Sequence, residues 1–302
     1  MLNVFFTVVL PIFLVASLGA LLQRVRPGSL GMLGPAALYL LSPALVLDGL
    51  LKTELSADVS LKIISATVGT VVCMVVASWI ISKILRHDRQ LESAFLLTGT
   101  FANAGNMGLP IAYLAFGEEG LAVAILIFVA QGSLSWPLGI YLAARGHANG
   151  WQPILKALKV PTLYTVPIAL SIRASGWDLP LTLDTTISLM ADATIPAMLL
   201  VLGYQLAQGI QFNLPLSLIS AIVTRLIIGA LVSVGLVELF GLSGIARNTV
   251  IVVSAMPTAV FTTILATEFQ AAPRFVASVV VTSTVFSLIT LTVLIDLLQN
   301  FS

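Results

Sequence analysis

Two asparagines, two glycines and a proline fall within eight residues: Asn103, Gly105, Asn106, Gly108 and Pro110 in NAGNMGLP, inside a long apolar run. These residues suit hydrogen bonding at a broken helix better than bond-breaking chemistry. The two carboxamides can bond backbone groups that a break sets free, or a ligand. Gly105 and Gly108 are expected to take backbone angles closed to other residues. Pro110 is expected in the first turn of a restarting helix, where its missing N–H costs nothing. The free N–H groups of such a start amount to about half a positive charge, which favours an anion. A second interruption, SAMPTAVFTT, carries Ser254, Pro257 and Thr258. If the two restarting ends converge, they form an anion site.

One more group could act there. Arg225, in LISAIVTRLIIGALVSV, lies about 11 residues into an apolar segment, roughly 16 Å deep. A central arginine costs at least about 2.5 kcal/mol on insertion scales, so it needs an acceptor. Three are open: a substrate carboxylate, Asp192 in LMADATIP, or carbonyls of a broken helix. Substrate is the preferred reading, because no other fixed positive charge lies at that depth. Gln131, with Ser133 and Ser135, could contribute or could serve interhelical packing. Acidic residues such as Glu92, Glu118, Glu238 and Glu268 lie near segment ends. Their placement argues against cation antiport; carbonyls and hydroxyls could still bind sodium, so sodium or proton coupling stays open. His87 and His147 sit in polar loops without ligand-spaced partners. The single cysteine, Cys73, allows neither an internal disulfide nor a CxxC site. No Ser/His/Asp set, metal cluster or phosphate loop points to an enzyme, and no cofactor is expected.

The elements that must position these residues are membrane helices. Of 302 residues, 58% are hydrophobic and only 9% charged, against about 25% charged in soluble domains. The natural solvent is lipid. A net charge of +1 suggests no nucleic-acid partner. A span needs about 20 apolar residues. Ten are read, at 2–22, 32–52, 62–84, 93–116, 120–143, 159–174, 182–208, 214–239, 247–267 and 273–298. The first could pass for a signal peptide, but Arg24 and Arg26 follow the apolar run instead of preceding it. Lys and Arg number nine in odd-numbered loops and four in even-numbered ones, which puts odd loops in the cytoplasm and both termini outside. The expected location is the plasma (inner) membrane.

The loop 144–158 divides the chain into 1–150 and 151–302, five spans each. An odd number makes a duplicated half insert upside down. Pro43 in LSPALVLDGL echoes Pro196 in TIPAMLLVLGYQL, and the breaks fall in the fourth and ninth spans. Interrupted helices at matching places in inverted repeats point to a transporter binding site. The fold class expected is therefore an all-α polytopic membrane protein of two inverted five-helix repeats.

NAGNMGLP followed by GEEGL resembles the auxin efflux carrier family, including its bacterial malonate and malate transporters. LPIFLVASLGALLQR, LSPALVL, WDLP, IPAMLLVLGYQL and SAMPTAV support the resemblance in order along the chain. KVPTLY departs from it, where many relatives resemble Asn-Pro. The resemblance implies an elevator with crossing fourth and ninth helices. Its scaffold would be about 1–60 and 151–212, and its transport domain about 61–143 and 213–298. It also implies that Asn103, Gly105, Asn106, Gly108, Pro110 and Pro257 lie at the crossing. The function read is a secondary carrier of small organic anions, with the lipid bilayer as its environment and a homodimer left open. The rivals are a sodium-coupled carrier of larger anions resembling bile-acid carriers, an anion channel, a membrane enzyme and a sensor. Single cysteines test the orientation: Glu118→Cys should react with an impermeant thiol reagent on intact cells and Arg86→Cys should not. Labelling of Arg86→Cys would reverse it.

Overall fold

A computed structural model describes residues 1–53, 55–144, 161–207 and 215–300. The expectations for His147 and most of the central loop lie outside these residues. The described chain is helical, in eleven helices: α1 Leu2–Val25, α2 Leu33–Lys52, α3 Ala57–Ile84, α4 Arg89–Thr100, α5 Ala104–Ala144, α6 Thr162–Ser175, α7 Leu181–Leu206, α8 Leu216–Leu239, α9 Gly244–Ser254, α10 Phe261–Glu268 and α11 Pro273–Asn300. Seven of them, α1, α2, α3, α5, α7, α8 and α11, are long and apolar enough to cross a membrane. The expected segments 93–116 and 247–267 are broken, into α4 with the start of α5 and into α9 with α10. The expected segment at 159–174 falls on α6, which has 14 residues. Leucines and isoleucines such as Leu14, Leu18, Ile80, Leu231 and Ile289 stand exposed on outer faces, as lipid requires. Met1 is paired with Asp296, so α1 begins on the side where α11 ends.

α5 has 41 residues, about 60 Å if straight. It does not run straight. Gly117 takes φ 69°, ψ −157°, a conformation open to glycine. A Cβ at Gly120 would lie 2.7 Å from the Ala112 carbonyl. In a continuous helix those residues are about 12 Å apart along the axis, so the chain reverses at Gly117. Residues 104–116 and 118–144 are two arms of a hairpin, near the expected boundary between the fourth and fifth spans.

Among the described residues four wide π turns interrupt the helices, at Phe5–Val9, Ala37–Leu41, Ala104–Gly108 and Thr224–Ile228. The first three each precede a proline by two residues, Pro11, Pro43 and Pro110. A widened turn accommodates a ring that would otherwise clash with the preceding turn and leave a carbonyl unpaired. The fourth has no proline. It holds Arg225.

His87 is more than a loop residue. Its ring nitrogens lie 3.1 Å from Ser82 Oγ and 3.0 Å from Ser217 Oγ, joining the end of α3 to the start of α8. Its ring packs on Phe95. Burial pushes its pKa below the usual imidazole value.

α1 and α7 approach until only glycine fits. A Cβ at Gly19 would strike the Leu200 carbonyl, and one at Gly203 the Ala16 carbonyl. Small residues at such crossings bring helix backbones together in lipid, where packing drives association. Gly203→Val should therefore destabilise the protein by about 1–3 kcal/mol or more, as overpacking does. Gly235→Ala, which meets open space, should leave melting nearly unchanged. Thermal unfolding in detergent measures both.

Candidate functional site at the crossing of two broken helices

α4 stops at Thr100 and helix resumes at Ala104. α9 stops at Ser254 and helix resumes at Phe261. The two gaps lie against each other as a minimal antiparallel pair, with Ala102 opposite Thr258. The Asn103 N–H donates to the Pro257 carbonyl at 2.8 Å, and the Ala259 N–H to the Phe101 carbonyl at 2.9 Å. Each break thus satisfies the other. Thr258, fully buried, donates from Oγ1 to the Thr98 carbonyl at 2.8 Å and from its N–H to Ser283 Oγ at 3.2 Å. The Gln131 carboxamide donates to the Ala102 carbonyl at 2.6 Å.

Arg225 is 1% exposed. Its guanidinium donates to the carbonyls of Gly99 at 3.0 Å, Thr100 at 2.8 Å and Ser254. It therefore caps the C-terminal ends of α4 and α9 together. A Cβ at Gly229 would collide with the guanidinium, so that glycine makes room for the side chain. Among the described residues no ion pair links Arg225 to Asp192, which is exposed. Of the three acceptors open from sequence, the carbonyls are the ones it meets.

The N-terminal ends behave differently. The N–H groups of Gly105 and Asn106, and of Val260 and Phe261, have no backbone partner among the described residues. All four residues line a cavity of about 490 Å³. Asn103, 4% exposed, lines it too, and its carboxamide Nδ2 has no hydrogen-bond partner among the described residues. The opposite wall comes from α2 and α7, with Tyr39, Ser42, Tyr204 and Gln205. Phe128 and Trp136 add apolar surface, and among the described residues no lining residue is charged. An acceptor placed at Asn103 would meet a donor and two positive helix ends.

The residues singled out from sequence separate into two groups. Asn103, Gly105, Asn106 and Gln131 line the cavity. Gly108, Pro110, Arg225, Ser254, Pro257 and Thr258 do not. The last four hold the crossing together from behind. Gly105 and Gly108 have ordinary negative φ, against expectation, and their use is space. A Cβ at Gly105 would stand 2.9 Å from the Phe128 ring, and one at Gly108 3.2 Å from Val253. Pro110 is not in the first turn, because helix resumes six residues earlier and the π turn absorbs the ring. Sequence reasoning missed Val260, Phe261, Tyr39, Tyr204 and Gln205. The first two follow Pro257 closely and could have been found as the restarting end. The other three come from distant helices and carried no local signal.

A helical membrane protein with two interrupted helices paired beside a cavity has the arrangement that transporters use for binding. Residues 4–295 match the model of the membrane transport protein family. The chain belongs to this family, that of the auxin efflux carriers. It is 26% identical over 267 residues to an "Uncharacterized transporter" of Methanocaldococcus jannaschii, covering 85% of this chain and 86% of that protein. It is 23% identical over 304 residues to a "Putative malonate transporter" of Rhizobium meliloti, covering 97% and 95%.

The crossing should be sensitive to single buried bonds. Thr258→Val keeps the shape and removes the donor to the Thr98 carbonyl. Leaving that carbonyl unpaired costs about 1–3 kcal/mol. The melting temperature should fall accordingly, with no change in the residues that line the cavity.

Proposed function

We propose that this protein is a secondary carrier of small organic anions that binds a carboxylate where its two broken helices cross. One observation carries the reading. The free N–H ends of both restarting helices and the unpartnered Asn103 amide converge on one cavity that has no charged side chain among its described lining residues. Each helix start contributes about half a positive charge, which together suit one anionic group. The "Putative malonate transporter" relative fits a carboxylate of this kind.

The finer architecture belongs to the same reading. Counting α4 with the first arm of α5 as one crossing, the second arm as another, and α9 with α10 as one, the chain has ten spans. The α1–α7 pair then corresponds to the α2–α6 pair under an exchange of halves, as inverted repeats would pack. α1, α2, α6 and α7 form the scaffold, and the other helices form the transport domain. The cavity has a wall from each, so sliding one domain along the other would carry a ligand held at the crossing from one side to the other.

Asn103→Ala tests the site. The amide nitrogen has no protein partner, so protein level and melting should stay near wild type. Uptake of labelled malonate into proteoliposomes should fall at least about tenfold, the worth of one hydrogen bond to a charged group. Counterflow driven by unlabelled malonate on the far side should be present in the wild type, as a carrier requires and a channel does not give. Wild-type uptake by Asn103→Ala would place the ligand elsewhere.

A further inference from the structure

Four helix ends meet at the crossing, and the chain treats them in two ways. The N-terminal ends face the cavity with free N–H groups. The C-terminal ends, α4 at Gly99 and Thr100 and α9 at Ser254, turn their carbonyls to the Arg225 guanidinium. Each carbonyl end is worth about half a negative charge, so the pair amounts to about one unit. Convergent carbonyls from broken helices are the ligands that carriers offer to an alkali cation. Here one fixed positive charge already meets them.

We propose that Arg225 is a resident cation. It holds, on the chain itself, the position at the crossing where an exchangeable sodium or potassium ion would otherwise balance the two carbonyl ends. The site is then complete without such an ion. Three features support this beyond the hydrogen bonds. The guanidinium has no carboxylate partner among the described residues, so carbonyl dipoles are what neutralise it. The π turn Thr224–Ile228 and the bare Cα of Gly229 present it there. The space left beside it, between Thr67, Thr70, Thr100 and Gln131, is about 10 Å³, about the size of one water, and a second cation there would lie against the positive guanidinium. With the carbonyl ends balanced permanently, the positive ends keep about one unit of charge for a single anionic group in either orientation of the carrier.

The test uses melting temperature and contains no carboxylate, so its result is independent of whether the protein carries one. Wild-type protein in detergent is melted in choline, sodium or potassium chloride at equal ionic strength. No difference is expected among the three salts, and a saturable rise in sodium or potassium would overturn the proposal. Arg225→Ala should melt lower and recover part of the loss, saturably, in millimolar guanidinium, sodium or potassium, as a ligand that binds only the folded state does. Indifference of Arg225→Ala to all three ions would also overturn it. Should Arg225→Ala not accumulate as folded protein, Arg225→Lys keeps a charge on the chain. It should melt between wild type and unfolded-prone variants, with no response to alkali ions. Stabilisation of Arg225→Lys by sodium or potassium would count against the resident cation.

Discussion

In lipid a backbone group that loses its helix must find another partner within the protein, because each unsatisfied group costs several kcal/mol. The structure depends on how two helices meet that demand together. The Asn103 N–H reaches the Pro257 carbonyl, and the Ala259 N–H reaches the Phe101 carbonyl. Neither break could stand alone, since each supplies the donor or acceptor that the other lacks. Side chains complete the account. Thr258 takes the Thr98 carbonyl, Gln131 that of Ala102, and Arg225 those of Gly99, Thr100 and Ser254. The carbonyls of the interrupted backbone are thereby largely paired, and the groups left over are N–H ends and a few side-chain atoms, Asn103 Nδ2 and Arg225 Nε among them.

The accounting also explains the asymmetry of the site. Carbonyl ends are closed by donors drawn from the side chains of α5 and α8 and from the opposing break. N–H ends at Gly105, Asn106, Val260 and Phe261 stay open to the cavity. A break in which both kinds of end were satisfied internally would hold the fold equally well but offer nothing to a ligand. On the proposed reading, a preference for one sign of charge follows from which ends are left open and needs no charged side chain in the wall.

Much of this was legible in the sequence, for reasons that differ by residue. NAGNMGLP and SAMPTAV announced themselves because helix-breaking residues crowded into apolar runs are costly unless something covers them. Their pairing with each other was not written in either stretch. Gly105 and Gly108 look conformational in the sequence, yet glycine also marks places where a neighbour leaves no room for a Cβ, and only the three-dimensional structure separates the two uses. Pro110 misled in a related way: a π turn lets a proline sit well inside a helix. Arg225 was visible as a buried charge seeking an acceptor, but a backbone carbonyl has no signature in the sequence. Tyr39, Tyr204 and Gln205 were invisible because α2 and α7 reach the cavity only through tertiary packing.

A carrier must bind well enough to select and weakly enough to release. A full positive charge aimed into a cavity of low dielectric would favour the first at the expense of the second, because paired charges away from water attract strongly. Two helix ends and one carboxamide spread a comparable charge over several donors, each of moderate strength. On the proposed reading Arg225, a full cation at the crossing, is absent from the cavity wall and spent on carbonyls. It stabilises the backbone that shapes the site without holding the ligand itself. The charge that steadies the crossing is then separate from the donors that grip the ligand, although Asn103 and Gln131 touch both the crossing and the cavity.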